Sequence, residues 1–337
     1  MMPFVWGGAE ELAAHLANEC IKLGHESEIL RIPFQWDPAS LIPSQMLMVD
    51  ALELWNVDRV IALKFPAYLI RHPHKTIWLL HQFRQAYDLF DAGQSHISND
   101  AAGDDLRRII KNADEEAFKT CRKIMTNSSV TQKRLHHYNH LHAEVVLPPL
   151  NDPELFMGGA SQGYIFAGGR VNASKRQHLL VEAMHQTKNP VKLIIAGPPD
   201  SKADADHLHE LVERYALKDR VKLDLRFLTR TELAHYVNHA LACAYLPIDE
   251  DSLGYVTMEA AVAGKALLTV TDSGGILGLV KHWQTGWVAS PHPNDIADKL
   301  TRLTHQTQET LQLGVHARAL WTSLDINWPH TLTRLLR

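Results

Sequence analysis

The stretch DEDSLGYVTMEAAVAGKALLTV, residues 249–270, sets the acids Asp249, Glu250 and Asp251 between two apolar runs. Before it, LACAYLP (241–247) is continuously apolar and short, as a buried strand is. Within it, residues 253–263 have helical spacing and stop at Gly264. After it, ALLTV (266–270) is apolar and β-branched again. Strand, helix and strand in that order, with both strands apolar throughout, predict a parallel sheet covered on both faces. In such sheets ligands bind beyond the carboxyl ends of the strands, where these acids fall.

The same rhythm extends through the second half of the chain. YIFAGG (164–169), VKLIIAGPP (191–199) and RVKLDL (220–225) read as strands. QHLLVEAMHQ (177–186), DHLHELVERYAL (206–217) and TRTELAHYVNHA (229–240) read as helices, the last capped by Thr229 or Thr231. The first half repeats the pattern less regularly. A helix over 7–26 opens on Gly7-Gly8 and closes at Gly24. RVIALKF (59–65), TIWLLH (76–81) and CRKIMTNSS (121–129) supply strands, VVLPPL (145–150) ends the half, and the Asn/Asp/Pro/Gly-rich 151–162 reads as a linker. Two doubly wound α/β domains follow: 1–155, completed by a returning C-terminal helix over 322–337, and 160–320, with a cleft between them. A helix opening GGAEEL should follow a strand, and MMPFVW is too short and Pro-interrupted to be one. The expectation is that the chain begins downstream of its natural start, lacking roughly six to ten apolar residues.

Composition narrows the function. The 337 residues are 45% hydrophobic with a formal charge of −4, enough for two ordinary cores. Residues 1–157 carry 15 basic and 20 acidic groups and the remainder 19 and 18, so neither half advertises nucleic acid or a polybasic membrane patch. No apolar run reaches the ~18 residues of a spanning helix. Cys20, Cys121 and Cys243 are too scattered for a metal or redox motif, and a reducing cytoplasm fits them.

Several groups have the character of a site. In FAGGRVNASK, glycines ending at Gly169 precede Arg170 and Lys175, five residues apart. Bare amides and two fixed cations at a strand end suit a diphosphate, although a solvated turn has the same composition. Gly7 and Gly8 could bring helix amides to an anion, or form a plain turn. Asp251 stands where a carboxylate could cap a helix, and Glu259 lies eight residues on among small apolar residues. His81 ends a strand, a position open to structural and catalytic roles alike. HHYNHLH (136–142) has the look of a metal cluster, with His136 and His140 at one-face helical spacing. It lacks H-E-x-x-H or cysteine partners.

Taken together, the GGAE helix, the strand-end histidine, PPL, GGRVNASK, AGPP and DSLGYVTMEAAVAGKALLTVTDSGG resemble family 4 of the retaining GT-B glycosyltransferases over most of the chain. The last segment is similar to that family's E-x7-E motif. The resemblance implies a GT-B fold and transfer of a sugar from a nucleotide-diphosphate donor with retained anomeric configuration. It implies no metal and no cofactor beyond the donor as co-substrate. It assigns Arg170 and Lys175 to the diphosphate, Glu259 to the donor ribose, and the amides of Gly254 and Tyr255 to the distal phosphate. Gly7, Gly8 and Gly169 would approach the diphosphate, while His81 and Asp251 would contact the transferring sugar. The acceptor would be a glycan, a lipid-linked molecule or a small molecule, with no nucleic acid partner and no charge pattern for peripheral membrane contact. Two departures stand out: Asp251 replaces the first glutamate of the motif, with Glu250 one residue out of register, and the strand before GGAE is missing. They motivate an alternative, a non-catalytic relative that binds a nucleotide or glycan. Within enzymes, a nucleotide-sugar epimerase on the same fold is the other reading.

Overall fold

The computed structural model describes residues 7–187 and 191–337. MMPFVW (1–6), and with it the expectation about the first strand, lies outside the described residues. The chain divides into two compact units, one formed by 1–149 together with Asn327–Arg337 and the other by Leu150–Ile326.

In the first unit the order is α1 (Gly8–Lys22), α2 (Ile42–Asp50), β1 (Val60–Lys64), β2 (Lys75–His81), α3 (Asp88–Asp91), α4 (Ala101–Thr120), β3 (Lys123–Thr126), α5 (Ser129–Asn139) and β4 (Glu144–Val145). The four strands form a parallel sheet in the order β1-β2-β3-β4. β2 shows why its sequence is apolar without alternation. Ile77 and Leu79 face a core with Ile42, Met46, Ile110 and Leu135. Trp78 and Leu80 face the opposite one, with Leu12 and Leu16 of α1. Successive side chains point to opposite faces, so a strand with helices on both sides needs apolar residues throughout.

In the second unit β5 (Tyr164–Gly168), α6 (Gln177–Gln186), β6 (Lys192–Ala196), α7 (Lys202–Arg214), β7 (Val221–Asp224), α8 (Arg230–His239), β8 (Ala242–Ala244), α9 (Tyr255–Val262), β9 (Ala266–Val270), β10 (Gly286–Ala289), α10 (Pro293–His305) and α11 (Thr307–Ser323) follow in turn. Six parallel strands lie in the order β10-β9-β8-β5-β6-β7. The chain winds outward from β5 through β6 to β7, then returns to β8 on the other side of β5. The switch point of the sheet therefore lies at the carboxyl ends of β5 and β8.

Three boundaries differ from the sequence reading. The second unit begins at Leu150, not near 160. Residues 151–162 are not a free linker, because Phe156 is buried and the Asn151 carbonyl accepts a bond from Arg230. The final helix is not continuous over 322–337. α11 ends at Ser323, and α12 (Trp328–Leu336) starts after Asn327, whose side chain caps it. Trp328, Leu332 and Leu335 of α12 complete the α1 side of the first core. His136 and His140 do not share a helical face, because α5 stops at Asn139 and His140 is its left-handed cap, φ 55°. No helix among the described residues is long and apolar enough to cross a membrane.

Candidate active site

At the end of β5 the backbone turns through Gly169, φ +106°, against Gly197 at the end of β6, φ +141°. A Cβ on Gly197 would stand 2.0 Å from the Gly169 carbonyl oxygen, so the two strand-end turns touch backbone to backbone. This contact sets the path of residues 170–175. Asn172 accepts from the Lys175 amide at 3.0 Å and donates to Asp200 at 2.8 Å, fixing the turn between them.

Both expected clamp cations carry carboxylate partners. Arg170 Nε donates to Asp200 Oδ1 at 2.7 Å. Lys175 Nζ pairs with Glu250 Oε2, which also accepts the Tyr245 hydroxyl at 3.1 Å. Lys175 Nζ lies 5.3 Å from the centre of the Tyr245 ring. Burial, then the neighbouring Glu250 charge, holds the Tyr245 hydroxyl well above its ordinary range, so it is a proton donor here. Glu250, one residue out of the motif's register, is thus the acid that meets Lys175.

Arg176, beside the predicted lysine, is a buried anchor. Its guanidinium donates to the carbonyls of Leu246 and Pro247 at 2.8 Å each, and doubly to Asp272 at 2.9 and 2.7 Å. These bonds hold the Asp272 carboxyl below the usual carboxylate range. They also bind the loops after β5, β8 and β9 into one rim. Glu250 joins that rim through the bond from the Gly275 amide to its carbonyl at 2.7 Å.

α9 begins two residues later than the spacing indicates. Its N-cap is Gly254, φ +72°, where a Cβ would stand 2.8 Å from Ile276 Cδ1. Asp251 is therefore not the helix cap. Gly254 and Tyr255 stand at the start of α9, where the helix presents amides and the positive end of its dipole. Glu259, one turn on, is 2% exposed, and Arg230 of α8 donates to its Oε1 at 2.5 Å. Arg230 also donates to the Asn151 carbonyl at 2.8 Å and stacks 5.0 Å from the centre of the Phe156 ring. The Thr257 hydroxyl and both polar atoms of the Asn151 side chain are buried without a hydrogen-bond partner among the described residues.

In the first unit, Gly7 is the N-cap of α1 and Gly8 its first residue. The Gly7 amide donates to Glu10 Oε2 at 3.2 Å, and Glu10 Oε1 accepts from Lys64 at 3.2 Å. His81 is half-buried at the end of β2, with Nδ1 2.7 Å from the Gln82 carbonyl oxygen. Sequence reasoning missed Arg230, Arg176, Asp200 and Tyr245. Asp200 had a visible signal in the Pro-Pro-Asp turn after a strand, a position facing the switch point.

Residues 160–319 match the family model described as Glycosyl transferases group 1, a match that falls within the second unit. A comparison with curated protein sequences gives no match. Among solved structures, sucrose-phosphate synthase from Thermosynechococcus elongatus is similar with a TM-score of 0.76 and 16% identity, over 97% of this chain and 92% of that one. A glycosyltransferase from Rickettsia africae gives 0.72 and 15%, over 99% and 94%. Anabaena HepE, in a crystal structure with UDP and glucose, gives 0.64 and 17%, over 98% and 89%. The two-sheet α/β architecture is the GT-B fold of these glycosyltransferases.

Proposed function

We propose that the chain is a cytoplasmic, metal-independent glycosyltransferase that moves a sugar from a nucleotide-diphosphate donor to a glycan, lipid-linked or small-molecule acceptor, with retained anomeric configuration. The observation that carries the reading is the pair Arg170 and Lys175 at the switch point of the larger sheet, beside the amino end of α9. The family-model match over this unit and the UDP bound in the HepE neighbour support it.

The donor diphosphate displaces Asp200 and Glu250 from the two cations, which neutralise charge on the leaving group as the glycosidic phosphate bond breaks. The amides of Gly254 and Tyr255 add partial positive charge at the distal phosphate. Glu259 accepts the ribose hydroxyls, Gly169 allows backbone to approach the diphosphate, and Asp251 meets the sugar, which becomes oxocarbenium-like. In the first unit Gly7 and Gly8 offer helix-start amides to an anion, and His81 offers a contact to a sugar hydroxyl. The departing phosphate takes the acceptor's proton as the acceptor attacks from the leaving-group face. A thermal-shift screen of UDP-, GDP- and ADP-sugars tests the reading. Donor at 100 times its Kd stabilises by about 2.7 kcal/mol. No shift with any nucleotide sugar overturns it.

Two predictions follow from the assigned roles. Because Arg170 and Lys175 perform the charge neutralisation, turnover of the donor found in the screen persists in excess EDTA. Loss that a divalent ion restores refutes metal independence. Asp251 reaches one methylene less far than the glutamate of the motif, so Asp251→Glu changes KM or donor preference more than melting temperature. Asp251→Asn weakens sugar binding without unwinding α9, whose cap is Gly254. Equal kinetics in wild type and both variants removes Asp251 from the site.

A further inference from the structure

α4 buries one carboxyl, Asp114, at 0% exposure in the core of the first unit. Two tyrosine hydroxyls converge on it: Tyr68 donates to Oδ1 at 2.9 Å and Tyr87 to Oδ2 at 2.8 Å. The Tyr87 hydroxyl also accepts a bond, from Asn139 Nδ2 at 3.5 Å. Asn139 in turn accepts from Gln82 Nε2 at 2.9 Å. Every donor in this cluster points toward Asp114, and the Tyr87 arm ends on Gln82, the residue that follows His81. Gln82 itself is 2% exposed.

The consequence falls on the His81 ring. A carbonyl oxygen only accepts, so the 2.7 Å contact between Nδ1 and the Gln82 carbonyl requires the proton on Nδ1. In the neutral ring Nε2 is then a bare acceptor. That tautomer persists only while the Gln82 carbonyl keeps its place, and Gln82 is held by its own buried side chain through Asn139. A buried acid with two tyrosine donors is a costly way to hold a core together, since apolar side chains of similar volume would serve.

We propose that Asp114 is a positioning residue for His81: through Tyr87, Asn139 and Gln82 it fixes the turn after β2 so that His81 presents Nε2 as a hydrogen-bond acceptor to a sugar hydroxyl. The inference rests on the proposed contact between His81 and a sugar hydroxyl.

The test uses the full-length chain with Tyr87→Phe, Asp114→Asn, His81→Ala and the Tyr87→Phe/His81→Ala double variant. Tyr138→Phe serves as a control, since it touches the Tyr87 ring, 5.3 Å between centres, but donates to Asp91. Long-range 15N–1H spectra report the ring tautomer, with the His81 signals assigned by their absence in His81→Ala. The expected result is an Nδ1–H ring in wild type and Tyr138→Phe, and mixed tautomers in Tyr87→Phe. With UDP-glucose as probe, kcat in Tyr87→Phe falls ~10-fold or more while KM changes little, as expected for a misplaced group. In the His81→Ala background Tyr87→Phe has no further effect, because the two act through one ring. Asp114→Asn gives the same signature where it folds, and Tyr87→Phe, which retains the Tyr68 bond to Asp114, decides the matter where it does not. An unchanged tautomer in Tyr87→Phe overturns the proposal, as does a kcat loss that multiplies in full on His81→Ala. If wild type binds and turns over no nucleotide sugar, the functional reading fails, and the tautomer spectra alone still decide whether the cluster positions the ring.

Discussion

Replacing Arg170 or Lys175 with Ala lowers turnover by at least ~10²-fold and leaves the fold intact. The kinetic term is large because the diphosphate gains charge as the sugar departs. A cation placed against that charge acts most strongly in the transition state, so kcat falls more than KM rises. The structural term is small. Arg170 and Asp200 keep 42% and 29% of their side-chain surface in solvent, and such exposed pairs contribute ~0–1 kcal/mol. Lys175 and Glu250 are more enclosed, at 23% and 21%. Removing Lys175 leaves Glu250 with the Tyr245 hydroxyl and water as partners. Circular dichroism and melting separate the two terms. Near-normal kcat in both single variants rejects the clamp, and loss of the folded state in either shows that the ion pairs are structural.

The carboxylate partners give a second expectation, read in a variant of Glu250. Asp200 and Glu250 hold the cations in their working places when no anion is bound, so the donor must exchange one negative partner for another. Glu250→Gln removes half of that competition. It should tighten UDP binding severalfold in calorimetry, whereas a Glu250 that itself contacts the sugar would weaken UDP-glucose binding relative to UDP.

Much of the larger sheet was legible because β5, β6 and β9 are apolar runs ended by turns and β7 alternates apolar with polar residues, with helices of clear period between them. β10 was not, since GWVA (286–289) is short and begins on a glycine. That glycine is required: a Cβ on Gly286 would stand 2.0 Å from the Leu267 carbonyl oxygen of β9. The clamp was legible from Arg170 and Lys175 because spacing along one turn fixes their proximity. Their partners were not, because Asp200 and Glu250 lie 30 and 75 residues away and arrive through the order of the strands. α4 carried an unread signal. Leu106, Ile110, Asp114 and Ala117 fall on one helical stripe, and an acid among core positions asks for buried partners. The reading of Asp251 as a cap failed for a local reason, the positive φ of Gly254, which delays the start of α9.

Arg230→Met costs the protein about 3 kcal/mol, the low end for breaking a buried ion pair, and lowers its melting temperature by roughly 6–12 °C. The magnitude follows from an asymmetry within the pair. Glu259 keeps 2% of its side-chain surface in solvent and Arg230 keeps 30%. Deleting the arginine strands a carboxylate in the interior beside the small apolar residues of α9, while deleting the carboxylate charge leaves a guanidinium that is partly in solvent. That guanidinium keeps its bond to the Asn151 carbonyl, an ion pair with Asp152 at 3.5 Å and the Phe156 ring. Glu259→Gln, which retains an acceptor for Arg230, should therefore cost only ~1 kcal/mol. The double variant should melt above Arg230→Met alone, because it no longer carries a buried unpaired charge. Ligand binding divides the same variants differently. If Glu259 receives the ribose hydroxyls, Glu259→Gln weakens UDP binding out of proportion to its small loss of stability. Equal melting losses for Arg230→Met and Glu259→Gln contradict the burial asymmetry. A Glu259→Gln protein that binds UDP as wild type does contradicts the ribose contact and leaves Glu259 as the partner that ties α8 to α9.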